Sequence, residues 1–173
     1  MIVTVGHSTH PLDEFLALLR GAEVAEIADV RRLPGSNRYP WFNEDALAHS
    51  LADSEIGYRR IPQLTGRRPR QHDVPDDVNG IWRNRSFHNY ADYALGDEFA
   101  AGLDELISAA AHGRVAVMCS EAVWWRCHRR IIADHLLARE IEVVHLMPDG
   151  RLDEARLTPG AVVDRGRVEY PAE

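Results

Sequence analysis

The sequence predicts an α/β fold: a three-layer, mainly parallel sheet with helices on both faces, Rossmann-like in layout. Three observations lead there. Short apolar runs of strand type recur along the chain, separated by helical patterns. The connections between them are too long for hairpins, so the strands must join through right-handed crossovers that cover both faces of the sheet. The length of 173 residues and the hydrophobic content of 45% suit a single globular domain with a real core.

In chain order, Ile2 to Val5 form the first strand, which ends at Gly6-His7-Ser8-Thr9. Pro11 suits the first helical position, and Asp13 and Glu14 complement the dipole of a helix that closes near Arg20-Gly21. Ile27 to Val30 make the second strand, and a Pro- and Gly-containing loop follows from Arg32 to Phe42. Asn43 opens a helix to about Asp53, and Tyr58 to Ile61 is a third strand. Residues 62–96 read as a long loop insertion within the domain 1–173, with a short helix near Phe87 to Tyr93. Connections of that length are usually functional. Asp97 caps an amphipathic helix carrying Phe99, Leu103, Leu106 and Ile107, which ends at His112-Gly113. Val115 to Cys119 is a buried central strand. The pattern from Trp125 to about Arg139 predicts a helix with Cys127 and His128 turned inward and Arg126, Arg129 and Arg130 outward. Glu142 to Leu146 is another strand, Pro148-Asp149-Gly150 a turn, and residues 161–170 a hairpin.

All 20 basic residues are Arg, and no Lys is present. Schiff-base chemistry through lysine is therefore excluded, and an anion must be held by Arg, His or backbone N–H groups. The net charge of −7 argues against bulk nucleic-acid affinity. Residues 31–85 nevertheless hold ten Arg against seven acids, so a local positive face is expected. The N-terminus lacks a signal-peptide pattern and no run is long enough for a membrane helix, which predicts a cytoplasmic protein with no membrane partner. Two cysteines are too few for a disulfide framework.

In a parallel sheet the strand ends Gly6-His7-Ser8, Asp29-Val30-Arg31 and Cys119-Ser120-Glu121 lie on one edge, where such folds bind ligands. Cys119 sits where a strand meets a helix, a position that favours a reactive thiolate, although a small core hydrophobe is the alternative. Cys127 reads as packing beneath it. Six residues separate Cys119 from Arg126, one more than a cysteine-phosphatase loop uses. His7 is either a structural histidine or an acid/base group. Asp29 and Arg31 are either an ion pair or ligand-facing. Cys119, Cys127, His128 and His7 lack metal-site spacing, and no metal is predicted.

The motifs Thr4-Val5-Gly6-His7-Ser8, Asp29-Val30-Arg31 with Pro34, Ser36 and Arg38, and Phe42-Asn43 resemble those of a bacterial family, domain of unknown function 488. So do Leu64-Thr65-Gly66, Tyr90-Ala91-Asp92-Tyr93 and Met118-Cys119-Ser120-Glu121 followed by Cys127-His128-Arg129. The resemblance spans about Val3 to Leu146. Thr65 stands where members commonly have Gly, and Trp124-Trp125 fills a spacer that is often more polar. The resemblance implies a Rossmann-like or phosphatase-like layout and brings no established reaction and no cofactor.

Together these readings predict a cysteine-dependent enzyme acting on a small phosphate-, sulfur- or nucleotide-like anion. Cys119, His7, Glu121 and His128 are its expected catalytic groups. Gly6, Ser8, Asp29, Arg31, Ser36, Arg38, Ser120, Arg126 and Tyr93 are its expected substrate contacts. The alternative is a non-catalytic nucleic-acid or nucleotide-binding module using the Arg and aromatic residues of 67–93. The sequence names no cofactor or oligomeric state.

Overall fold

A computed structural model describes residues 1–35 and 37–173. Ser36, one of the expected substrate contacts, lies outside the described residues. The core is a six-stranded sheet built from β1 (Ile2–Gly6), β2 (Glu26–Asp29), β3 (Gly57–Arg60), β4 (Val115–Cys119), β5 (Val143–Leu146) and β6 (Leu152–Glu154). Its order is β3-β2-β4-β1-β5-β6, with β6 antiparallel and the other pairs parallel. The sequence showed only a turn before β6. Three residues are too short for a period-two signal, and the antiparallel return is set by the turn at Asp149-Gly150.

Five helices cover the sheet: α1 (Leu12–Gly21), α2 (Glu44–Asp53), α3 (Arg85–Tyr93), α4 (Asp97–Ala110) and α5 (Arg129–Ala138). Alternation along the buried strands sorts the apolar side chains onto two faces. Val3, Val5, Ile27, Ala116 and Met118 pack with Phe15, Leu19, Leu47 and Leu51 of α1 and α2. Ile2, Ala28, Val115 and Val117 pack with Tyr90, Phe99, Leu103, Ile132 and Leu136 of α3, α4 and α5. The chain steps outward from β1 to β2 to β3 with helices on one face. It then returns through β4 to β5 with helices on the other, as right-handed crossovers require. The last strands, β7 (Val162–Asp164) and β8 (Arg167–Glu169), form the expected hairpin. Its Val168, with Tyr170 beyond it, packs on the α5 side.

Two expectations are corrected. The helix expected from Trp125 is a single 3₁₀ turn at Trp124–Arg126, an extended Cys127 and only then α5. Within α5, Arg129 shares a face with Ile132, Ala133 and Leu136, three, four and seven positions on. It is 1% exposed, the largest fully buried side chain, rather than outward-facing. Secondly, the short helix expected near Phe87 to Tyr93 begins two residues earlier, as α3 from Arg85, and a 3₁₀ turn at Pro62–Leu64 precedes it. No helix among the described residues is long and apolar enough to cross a membrane.

Candidate active site

The parallel ladder between β1 and β4 places Gly6 opposite Cys119. It continues past both strand ends, with His7 N–H donating to the Cys119 carbonyl and Ser8 N–H to the Ser120 carbonyl. The chain after Cys119 then folds across Gly6. A Cβ at Gly6 would meet the Glu121 carbonyl oxygen at 1.7 Å, so no larger residue fits. Gly6 is thus a clearance position rather than a ligand contact, and Ser8 enters the left-handed region (φ 50°) to make the turn.

At this edge lies a cavity of about 390 Å³. Its floor is formed by Cys119, Cys127 and His128, and Ser120 and Glu121 border it. Around it stand Arg31, Arg32, Arg67 and Arg126, with Leu33 and Phe87 as apolar wall. Arg32, Arg67 and Arg126 are exposed and, among the described residues, none has a carboxylate partner.

The two thiols are free, 3% and 6% exposed, with their sulfurs 2.7 Å apart. Cys127 lies just before α5, where its sulfur accepts the Arg129 N–H at 3.5 Å and lies 3.5 Å from His128 Nδ1. Burial pushes the Cys119 thiol well up, and its hydrogen bond to Cys127 acts in the same direction. Burial also acts on Cys127, but the hydrogen bond with Cys119 and the charge and N–H of Arg129 outweigh it and hold that thiol below its ordinary value. Cys119 is thus the less acidic thiol of the pair, and its Sγ can also donate to the Glu121 carbonyl at 3.7 Å. Arg129 Nη2 donates to the Glu121 carbonyl at 2.9 Å and the Ala122 carbonyl at 3.3 Å, while its Nε has no partner among the described residues. Burial also lowers the His128 pKa, so this imidazole is neutral.

His128 is seated by a second device. Tyr90 and Tyr93, one turn apart on α3, donate their hydroxyls to the carbonyls of Leu64 and Gln63 at 2.8 and 2.7 Å. Arg68 lies over the Tyr93 ring and donates to the Pro62 and Thr65 carbonyls. The turn so held presses Gly66 onto the imidazole, where a Cβ would come within 2.8 Å of His128 Nδ1. Tyr93 thus positions a loop and does not line the cavity, and Thr65 occupies the turn by donating its hydroxyl to the Pro62 carbonyl.

The other expected site residues of β1 and β2 lie behind this wall, with Arg31 shared between the cavity and the neighbouring face. By strand alternation His7, Asp29 and Arg31 belong to the α1/α2 face. The Arg31 guanidinium grips Asp29 through Nε (3.0 Å) and Nη2 (2.8 Å), and its Nη1 donates to the Phe42 carbonyl (2.7 Å). Tyr58 adds its hydroxyl to the same carboxylate. His7 stacks on Phe42 with ring centroids 4.2 Å apart. Its Nδ1 meets the Ser8 carbonyl at 2.9 Å and its Nε2 faces Arg31 Nη1 at 3.4 Å, which requires a proton on Nδ1 alone. Burial drives the His7 pKa down to about 4. Both nitrogens are occupied, so His7 steadies Arg31 and is not placed as a proton shuttle at the thiols. Arg38 lies over the Tyr39 ring, 5.7 Å from its centre.

Sequence reasoning missed Cys127 and Arg129 as site residues. The signal for Arg129 was present: counted from position 129, Arg129, Ile132 and Leu136 share one helical face. Trp82, Phe87 and Tyr90, offered as a surface for stacked bases, instead pack toward the core, Trp82 against Phe87 and Tyr170.

The family model for the domain of unknown function DUF488 matches residues 11–136. The chain belongs to this family. The DUF488 match takes in the Asp29–Arg31 pair, the Leu64–Gly66 turn, the α3 tyrosines and the cysteine loop through Arg129, while Gly6-His7-Ser8 lies just before it. Among curated proteins and among solved structures no match is found. The DUF488 description names no reaction, so the chemistry must be read from the site.

Proposed function

We propose that the protein is a cysteine-dependent enzyme acting on a small anionic substrate in the cavity at the sheet edge. Cys127 is the attacking thiolate, Cys119 holds the proton beside it, and Arg32, Arg67 and Arg126 bind the anion. One observation carries the reading: Arg129 is buried without a carboxylate partner next to two touching sulfurs. A buried, unpaired guanidinium costs several kcal/mol, and a thiolate at Cys127 is the counter-ion within reach. The three rim arginines extend the same positive field to the solvent side, where an anionic substrate would dock. A nucleic-acid-binding module has less support, because the aromatic side chains of residues 82–93 are used for packing.

The test is a comparison of two alkylating reagents. Anionic iodoacetate should modify Cys127 faster, relative to neutral iodoacetamide, than it does free cysteine, and inorganic phosphate should slow it. Arg126→Ala and Arg67→Ala should erase that preference. Iodoacetate lagging as it does with free cysteine, with no effect of phosphate, would remove the anion site from the account.

A further inference from the structure

A one-thiol mechanism leaves the second sulfur without a chemical role, yet Cys119 stands in contact with Cys127 at the floor of the same cavity. Cys119 belongs to the rigid end of β4, pinned on both sides by β1 and β2, while Cys127 occupies the extended residue between a 3₁₀ turn and α5. Any sulfur adduct formed on Cys127 would therefore lie next to a second thiol held in attack range. Intramolecular attack from such a position outruns reaction with thiols in solution by orders of magnitude.

Building on the proposed thiolate, we infer that the two cysteines are an attacking and resolving pair and that the substrate class is a small anionic disulfide. The Cys127 thiolate attacks one sulfur of RS–SR. The S–S bond breaks, RS⁻ leaves and takes up a proton, and Cys127 carries the mixed disulfide. Cys119 then loses its proton, and its thiolate attacks Cys127 Sγ. The second RS⁻ departs and is protonated, and a Cys119–Cys127 disulfide remains. The protein gives up two electrons and the Cys119 proton, solvent supplies the second proton, and the substrate leaves as two thiols. A dithiol reductant, by the reverse exchange, returns the protein to its starting state.

Two features support this class over a phosphoryl substrate. The spacing from Cys119 to Arg126 is one residue too long for a phosphate ring of cysteine-phosphatase type. The cavity floor offers two thiols, while the positive charge stands at the rim, placed for carboxylates at the ends of a disulfide molecule.

The experiment uses the reduced full chain and dithiobis(nitrobenzoate), an anionic disulfide whose released thiolate is coloured. The wild type should release two nitrothiobenzoate ions per chain and retain none, ending two hydrogens lighter by mass. Cys119→Ser should stop halfway, releasing one and keeping one adduct on Cys127. A wild type that keeps a stable adduct on Cys127 would overturn the resolving role while leaving the thiolate reading intact. Release no faster than from free cysteine, with no adduct on Cys127 in Cys119→Ser, would overturn the thiolate reading itself. The wild-type mass alone decides the resolving step if the variant fails to fold.

Discussion

Two polar clusters stand back to back at one sheet edge, and they are built on opposite principles. On the α1/α2 face, Arg31 is matched on every side: by the Asp29 carboxylate, the Phe42 carbonyl and the neutral His7, with Tyr58 completing the carboxylate. On the α5 face, Arg129 is as deeply buried but meets only two carbonyls and the sulfur pair. A saturated cluster fixes geometry, whereas an unsaturated one stores an electrostatic demand that a thiolate or a ligand can satisfy. The difference explains why the edge needs both. The first holds the β2 end and Phe42 in place, and in the proposed function the second supplies reactivity.

The comparison breaks most visibly through stability. Asp29→Asn leaves Arg31 buried without its counter-charge and should cost about 3–5 kcal/mol in denaturant unfolding. Arg129→Met, of similar shape and without charge, lets Cys127 take up a proton and should cost less, about 1–2 kcal/mol, chiefly for the lost hydrogen bonds to the Glu121 and Ala122 carbonyls. The same variant should slow Cys127 alkylation at pH 7 by roughly 10-fold, the effect of about one unit of thiol pKa. If Arg129→Met unfolds the protein while Asp29→Asn does not, the assignment of the two clusters is inverted.

Acid sharpens the contrast next. Burial lowers the pKa of His7 and His145 to about 4 and of His135 to about 3, against an ordinary 6.5. The unfolded chain takes up protons below 6.5 that these folded imidazoles refuse. Stability is therefore full above 6.5 and falls as pH drops toward 4, by at most about 1.4 kcal/mol per pH unit for each histidine. Asp92 and Asp134, raised by burial, act in the opposite direction once carboxylates begin to protonate, and offset part of the loss at the acid end of that window. Thermal melts from pH 7 to 5 should show a falling Tm, with a shallower slope in His7→Gln. The smallest stability effect belongs to the rim: Arg126→Ala should change unfolding by less than about 0.5 kcal/mol, since nothing among the described residues pairs with it.

Much of this was legible in the sequence. Strand and helix order followed from apolar periodicity, and the convergence of Gly6, Asp29, Arg31 and Cys119 on one edge followed from parallel topology. Boundaries shifted by a residue at β1, β2, β3 and β5, where strand ends fray. What was not legible turned on phase. Placing the start of α5 at Trp125 instead of Arg129 grouped Arg129 with Arg126 and Arg130 on an outward face, although it shares a face with Ile132 and Leu136. Strand alternation, applied to the polar tips as well as the apolar interiors, would have separated His7 from Cys119. The Tyr90 and Tyr93 hydroxyls, by contrast, are anchors for a turn in a non-adjacent segment, and no local pattern announces such a contact.

The central claim is that Cys127, not Cys119, carries the thiolate. Iodoacetamide labelling of the whole protein across pH, with each cysteine followed by mass spectrometry, tests it directly. The account predicts that Cys127 is labelled first, faster than free cysteine at pH 7 and with a midpoint below the ordinary thiol value, while Cys119 resists. Preferential labelling of Cys119, or a Cys127 profile no different from that of free cysteine, would contradict it.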